Sequence, residues 1–136
     1  MLEEDCIGAR LYWATFHLAH EFQSADFLDS SKVVQLYSPR IRLCKSIVGL
    51  IGVGCKSGDL ACYVYVPGFR GAGDVILTVL RFGQGAPMQA TCSHTWTQDH
   101  GYGWPSLLKQ KQLASEGWLT ADQKIRVLVT LHLQMG

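Results

Sequence analysis

The segment from Lys124 to Met135, KIRVLVTLHLQM, alternates apart from Leu128. Ile125, Val127, Val129, Leu131, Leu133 and Met135 fall on one side, with Arg126, Thr130, His132 and Gln134 on the other. Successive strand side chains point to opposite faces, so a period of two predicts a strand with a core side and a wetter side. The stretch just before it, GYGWPSLLKQKQLASEGWL from Gly101 to Leu119, predicts a compact turn and a short helix. Trp104-Pro105 starts that unit, and Leu107, Leu108 and Leu113 have helix-like spacing. Gly117 ends it before the apolar pair Trp118-Leu119.

Upstream, shorter apolar runs are separated by Gly- and Pro-bearing turns. Arg10 to Leu18 alternates and predicts a first strand, followed by a polar loop or single helical turn over Ala19 to Lys32. Val33 to Leu43 gives two short strands joined at Pro39, a residue that removes a ladder donor and fits a strand edge or bend. Ser46 to Val53 is the next strand, and Gly49, Gly52 and Gly54 mark bulges or close backbone contact. Leu60 to Val66 is strongly strand-like in its β-branched and aromatic content. Asp74 to Phe82 and Met88 to Trp96 complete the set, with turns over Cys55 to Asp59 and Gly83 to Pro87 and a glycine-rich loop over Pro67 to Asp74. Strands at this spacing indicate an antiparallel sandwich or barrel rather than an α/β fold. A chain of 136 residues reads as one domain, here residues 9–136 after a weakly ordered lead-in over residues 1–8.

The 48% hydrophobic content beside 17% charged residues predicts a rather apolar surface, as where a partner is bound. A net charge of +1 with scattered basic residues (Arg40, Arg42 and Lys45 are the densest group) gives no footprint for nucleic acid. The cysteines at positions 6, 44, 55, 62 and 92 are odd in number and contain no Cys-x-x-Cys pair, which favours a reducing compartment over a disulfide framework. The acidic start MLEEDC lacks the basic region of a signal peptide. The most apolar run, Ser46 to Gly54, is far short of a membrane span. A soluble cytoplasmic or nuclear protein is expected, with no membrane partner.

Residues able to do chemistry do not converge in the sequence. The histidines at 17, 20, 94, 100 and 132 suit exposed strand faces or loops. Cys92, His94 and His100 could be zinc ligands, but structural zinc wants a second short-spaced ligand pair. Cys92 near His94 could be a nucleophile and base, yet nothing marks a depressed thiol pKa. A Gly-x-Ser-x-Gly elbow is missing. The run Gly68-Phe69-Arg70-Gly71-Ala72-Gly73 lacks the Lys-Ser/Thr of a phosphate loop and precedes a strand. No cofactor and no metal are expected. The aromatic residues are the better lead, as core fillers or as rings lining a shallow groove for an extended peptide.

Tyr102-Gly103-Trp104, the exit Gly117-Trp118-Leu119, the element Tyr37-Ser38-Pro39 and an aromatic-rich first strand together resemble MATH (TRAF-C-like) domains. The resemblance covers about residues 9–135 and is specific over 36–66 and 101–135; Pro105 stands where the family normally carries no proline. It implies an all-β fold, an eight-stranded antiparallel β-sandwich with one short helix before the last strand. It also implies a non-catalytic module that binds a short linear peptide of a protein partner, in the setting of the ubiquitin system. The family's groove rings carry over to Tyr102 and Trp104, flanking Gly103. A looser alignment adds Val75, His94 or Trp96, and Asp59, leaving a groove poorer in aromatics than the family's. A structural oligomerisation domain is a second reading, although the residues before Arg10 cannot supply coiled-coil heptads and a monomer is expected. An enzyme on an unrelated β fold is a third.

Overall fold

A computed structural model describes residues 11–26, 34–56, 59–83 and 85–136, so the expected lead-in lies outside the described residues. Among them are β1 (Tyr12–Gln23), β2 (Val34–Tyr37), β3 (Ile41–Cys44), β4 (Ile47–Lys56) and β5 (Asp59–Tyr65). There follow β6 (Gly71–Val79), β7 (Met88–Trp96), β8 (Gly101–Lys109), the helix α1 (Gln110–Ser115) and β9 (Lys124–Met135). The first sheet runs β1-β9-β6-β7 and the second β2-β4-β5-β8, with β3 also on β4. Every pairing is antiparallel. The fold is all-β, as the turn spacing predicts.

The alternation in β9 decides where the core sits. Ile125, Val127, Val129, Leu131 and Leu133 are buried, and so are Val75, Leu77 and Val79 of the adjacent β6. From the second sheet Ile51, Val53, Leu60, Cys62 and Val64 meet them in one apolar cluster, which makes the molecule a β-sandwich. Each fully buried Val, Leu or Ile contributes about 1.5–3 kcal/mol relative to exposure.

Strand β1 does not stop at Leu18. Residues Ala19 to Gln23 continue the ladder against Leu128 to Lys124, and only Ser24–Asp26 forms a single 3₁₀ turn. Polarity there is a consequence of facing, because Glu21 lies on the outer side and pairs with Arg126 (Arg126 Nε to Glu21 Oε2, 2.6 Å), while Phe22 is buried. The remainder of the expected loop, 27–32, lies outside the described residues.

The unit expected to begin at Trp104-Pro105 is also different. Gly101 to Lys109 is strand β8, and the helix is reduced to Gln110–Ser115. Pro105 sits where the pairing is irregular: β5 advances from Leu60 to Cys62 while β8 runs from Leu108 to Trp104. A proline is tolerated in such a place on a terminal strand because no regular ladder bond is lost. Gln112 accepts the Lys109 N–H at 3.0 Å, capping the helix, and Gly117 leaves it with φ of 81°. Trp118 then enters the core.

Nine strands are present among the described residues where eight were expected. The additional strand is β8, Gly101–Lys109, which the sequence placed in a turn and short helix. β2 pairs with Gly52 to Cys55 of β4, and β3 pairs with Ile47 to Gly49. Between them Ser38 keeps the edge attached: its N–H donates to Ile51 O (2.8 Å), and Ile51 N–H donates to its Oγ (2.9 Å). No helix among the described residues is long and apolar enough to cross a membrane.

Candidate functional site

Strand β7 ends the first sheet, and β8, next in the chain, ends the second. The two terminal strands are joined through residues 97–100 at one side of the sandwich. That connection is tied down: Asp99 accepts the Gly68 N–H at 3.0 Å and an Arg70 N–H at 2.7 Å. These bonds, the Gly68 amide first, hold the Asp99 carboxyl below its ordinary range.

Register fixes which side chains face the gap between the strands. Tyr102 opposes Val64 and Trp104 opposes Cys62, both fully buried, so the two rings share the core-facing side of the second sheet. Cys92 opposes Val75 and His94 opposes Gly73, on the core-facing side of the first. The rings of His94 and Tyr102 stack across the gap with centroids 3.9 Å apart and planes 21° apart. Tyr102 meets Trp104 edge-on at 6.4 Å, and His94 meets His100 edge-on at 5.5 Å. All four of these rings are half-buried. The result is a ring-lined edge at which His94 Nε2 and His100 Nδ1 are buried without a hydrogen-bond partner among the described residues. Buried polar atoms ordinarily have a partner, so these two are open to one.

Desolvation, and then the neighbouring His100, lower the His94 pKa, which favours the neutral ring. Burial pushes the Cys92 thiol up, partly offset by hydrogen bonding to Tyr102. The Tyr102 hydroxyl is raised as well, first by that same bond. A raised thiol is the opposite of an activated nucleophile. His94 meets His100 and Cys92 bonds to Tyr102, yet no group of three His, Cys, Asp or Glu side chains among the described residues could hold a metal ion.

The remaining sequence candidates are placed differently. Val75 is fully buried and Trp96 is 1% exposed, so neither can line a surface groove. Their parity on β6 and β7 turns them into the core, where Trp96 packs edge-on against Phe69 at 5.7 Å. Asp59 opens β5 opposite Lys109 and accepts the Ser106 hydroxyl. It stands five residues along β5 from Val64, the partner of Tyr102, or roughly 17 Å at a strand's rise. Gly103 does flank both rings, but a Cβ there would lie 2.1 Å from Cys62 O and 2.6 Å from Tyr63 Cα. Its smallness therefore serves the close approach of β5, and does not open a passage between the rings.

No protein-family model matches the chain, and no curated protein matches it significantly. Among Tyr102, Trp104 and His94 the structure makes one cluster; Cys92 and His100 join it, and the spacing of Cys92, His94 and His100 in the sequence was the signal for both. Tyr63 and Tyr65 share a face, as their parity predicts, but it is the outer one, opposite Gly103 and Gly101.

Proposed function

We propose that this domain is a non-catalytic module that binds an extended peptide of a protein partner along the free edge of β8, with Tyr102, Trp104 and His94 as the contacting rings. The observation that carries this reading is the half-buried ring cluster between two terminal strands. A terminal strand offers unpaired main-chain N–H and C=O groups, and an added strand satisfies them while its side chains enter pockets beside the edge. The rings supply such pockets, and His94 Nε2 and His100 Nδ1 supply polar partners. The raised Cys92 thiol weighs against a nucleophilic enzyme.

The MATH resemblance carried by Tyr102-Gly103-Trp104 and Tyr37-Ser38-Pro39 gives the reading its finer form. In that form the sandwich is MATH-like, and the module recognises substrates or adaptors of the ubiquitin system in the cytoplasm or nucleus. Selection from a random peptide display library, followed by calorimetric titration of the selected peptide, tests it. Binding in the micromolar range, about −8 kcal/mol, that is weakened by Tyr102→Ala and Trp104→Ala in folded protein is the expected outcome. Wild-type affinity in both variants overturns the placement, and unfolding of both makes the rings structural.

A further inference from the structure

The outward side of the first sheet carries a second cluster, apart from the β7–β8 edge. Its four strands set residues in rows. Trp13 pairs with Gln134 and Ala72 with Thr95, and the next row reads Thr15, His132, Asp74, Ser93. Ala72 has no side chain that reaches out, so its neighbours stand above it. They leave a trough of about 370 Å³ whose lining includes Trp13, Ala72, Asp74, Ser93 and Thr95. Small-ligand sites begin at about 300 Å³.

The walls of the trough indicate the charge of its occupant. Trp13 is 46% exposed, yet its ring is held in place by stacking on His132, with centroids 4.9 Å apart and planes 8° apart. His132 is itself fixed by a 2.9 Å hydrogen bond between Nδ1 and Thr15 Oγ1. Asp74 accepts the Ser93 hydroxyl at 2.6 Å, and no ion pair among the described residues neutralises it. Neither row contains a lysine or arginine. A fixed indole face attracts a cation, and an unpaired carboxylate does so independently. The Ser93 and Thr95 hydroxyls can accept further donors. A guanidinium suits this set better than an ammonium, because it is planar, stacks on aromatic faces and presents five donors.

We propose that the trough binds an arginine side chain of a partner polypeptide, with the guanidinium against Trp13 and donating to Asp74. His94 of the ring-lined edge also borders the trough, but the proposed contacts, Trp13 and Asp74, are not part of that edge. Titration with N-acetyl-arginine methylamide at low salt, followed through the Trp13 indole N–H resonance (identified by its loss in Trp13→Phe), tests it. A saturable shift with a dissociation constant on the order of 1 mM is expected. The neutral citrulline analogue should bind at least about tenfold more weakly, as should the arginine compound to Asp74→Asn, while lysine should bind more weakly than arginine. Ser93→Ala, which leaves the carboxylate in place, should weaken binding less than Asp74→Asn. Equal binding of citrulline and arginine, an unaffected Asp74→Asn, lysine equal to arginine, or saturation by a neutral sugar instead would each overturn the assignment.

Discussion

His94 and Tyr102 lie on terminal strands of different sheets, and their rings are nevertheless stacked at 3.9 Å. The sandwich is thus closed at this edge by an imidazole on a phenol ring. The pair is half-buried on both sides, which leaves ring surface for a partner and takes water away from the imidazole.

The His94 pKa should lie below its ordinary 6.5, because desolvation and then His100 oppose protonation. A folded-state pKa below the unfolded one means that the unfolded chain binds the extra proton first. The contribution is therefore fully present above pH 6.5 and lost as pH falls through the folded value. Histidine NMR titration checks the assignment, and a His94 pKa at or above 6.5 would contradict the edge geometry. The melting temperature of His94→Gln should fall less than that of wild type between pH 7 and the folded value.

Gly103→Ala should destabilise the domain strongly. The new methyl would press on main-chain atoms of β5 at 2.1 and 2.6 Å, and a backbone strand cannot step aside as a flexible side chain can. Overpacking of this kind costs about 1–3 kcal/mol or more. Urea denaturation measures it; a loss under about 0.5 kcal/mol, the usual range of a surface change, would mean that β5 and β8 are farther apart than described.

Ser38→Ala should cost about 1–3 kcal/mol, since the buried Ile51 N–H would lose its acceptor. Ser38→Thr retains the hydroxyl and should recover part of the loss. Equal stability of Ser38→Ala and wild type would show that the break between β2 and β3 is held by something else.

Truncating an anchor ring should remove about 2 kcal/mol of peptide affinity, roughly thirtyfold. Trp104→Ala is the cleaner variant, because Tyr102 also supports the His94 stack. Calorimetry on variants with retained melting temperature reads the effect.

Cys62 should resist alkylation in the native protein. Its thiol is fully buried and pushed up to about 12 by desolvation, so almost no thiolate is present at neutral pH. Mass spectrometry after brief iodoacetamide treatment, native and denatured, checks this; rapid native labelling at Cys62 would argue against the packed interior.

Legibility followed the range of the interactions. β9, β5 and β7 were readable because alternation or β-branched content is a property of neighbouring residues. The polar run after Leu18 was not, since Ala19, Glu21 and Gln23 are polar or small on the outer side only because β9 continues opposite them. Trp104-Pro105 looked like a helix start for the same reason. Only the pairing of Gly101 to Trp104 with β5 keeps that stretch extended. In the site, spacing put Tyr102 and Trp104 on one side, but no local signal distinguishes the buried Trp96 from the half-buried His94 two residues earlier.

By itself the sequence determined that the chain is β-rich, where most strands lie and which side of β9 is apolar. Those features come from a two-residue period and from turn residues, which act over a few bonds. Tertiary structure decided that β7 and β8 end different sheets, that Val75 and Trp96 belong to the core, and that Asp59 stands far from Tyr102. It also set Trp13 and Asp74, 61 residues apart in the chain, around one trough. Parity says that two side chains share a face, but which face is covered depends on the sheet that packs there.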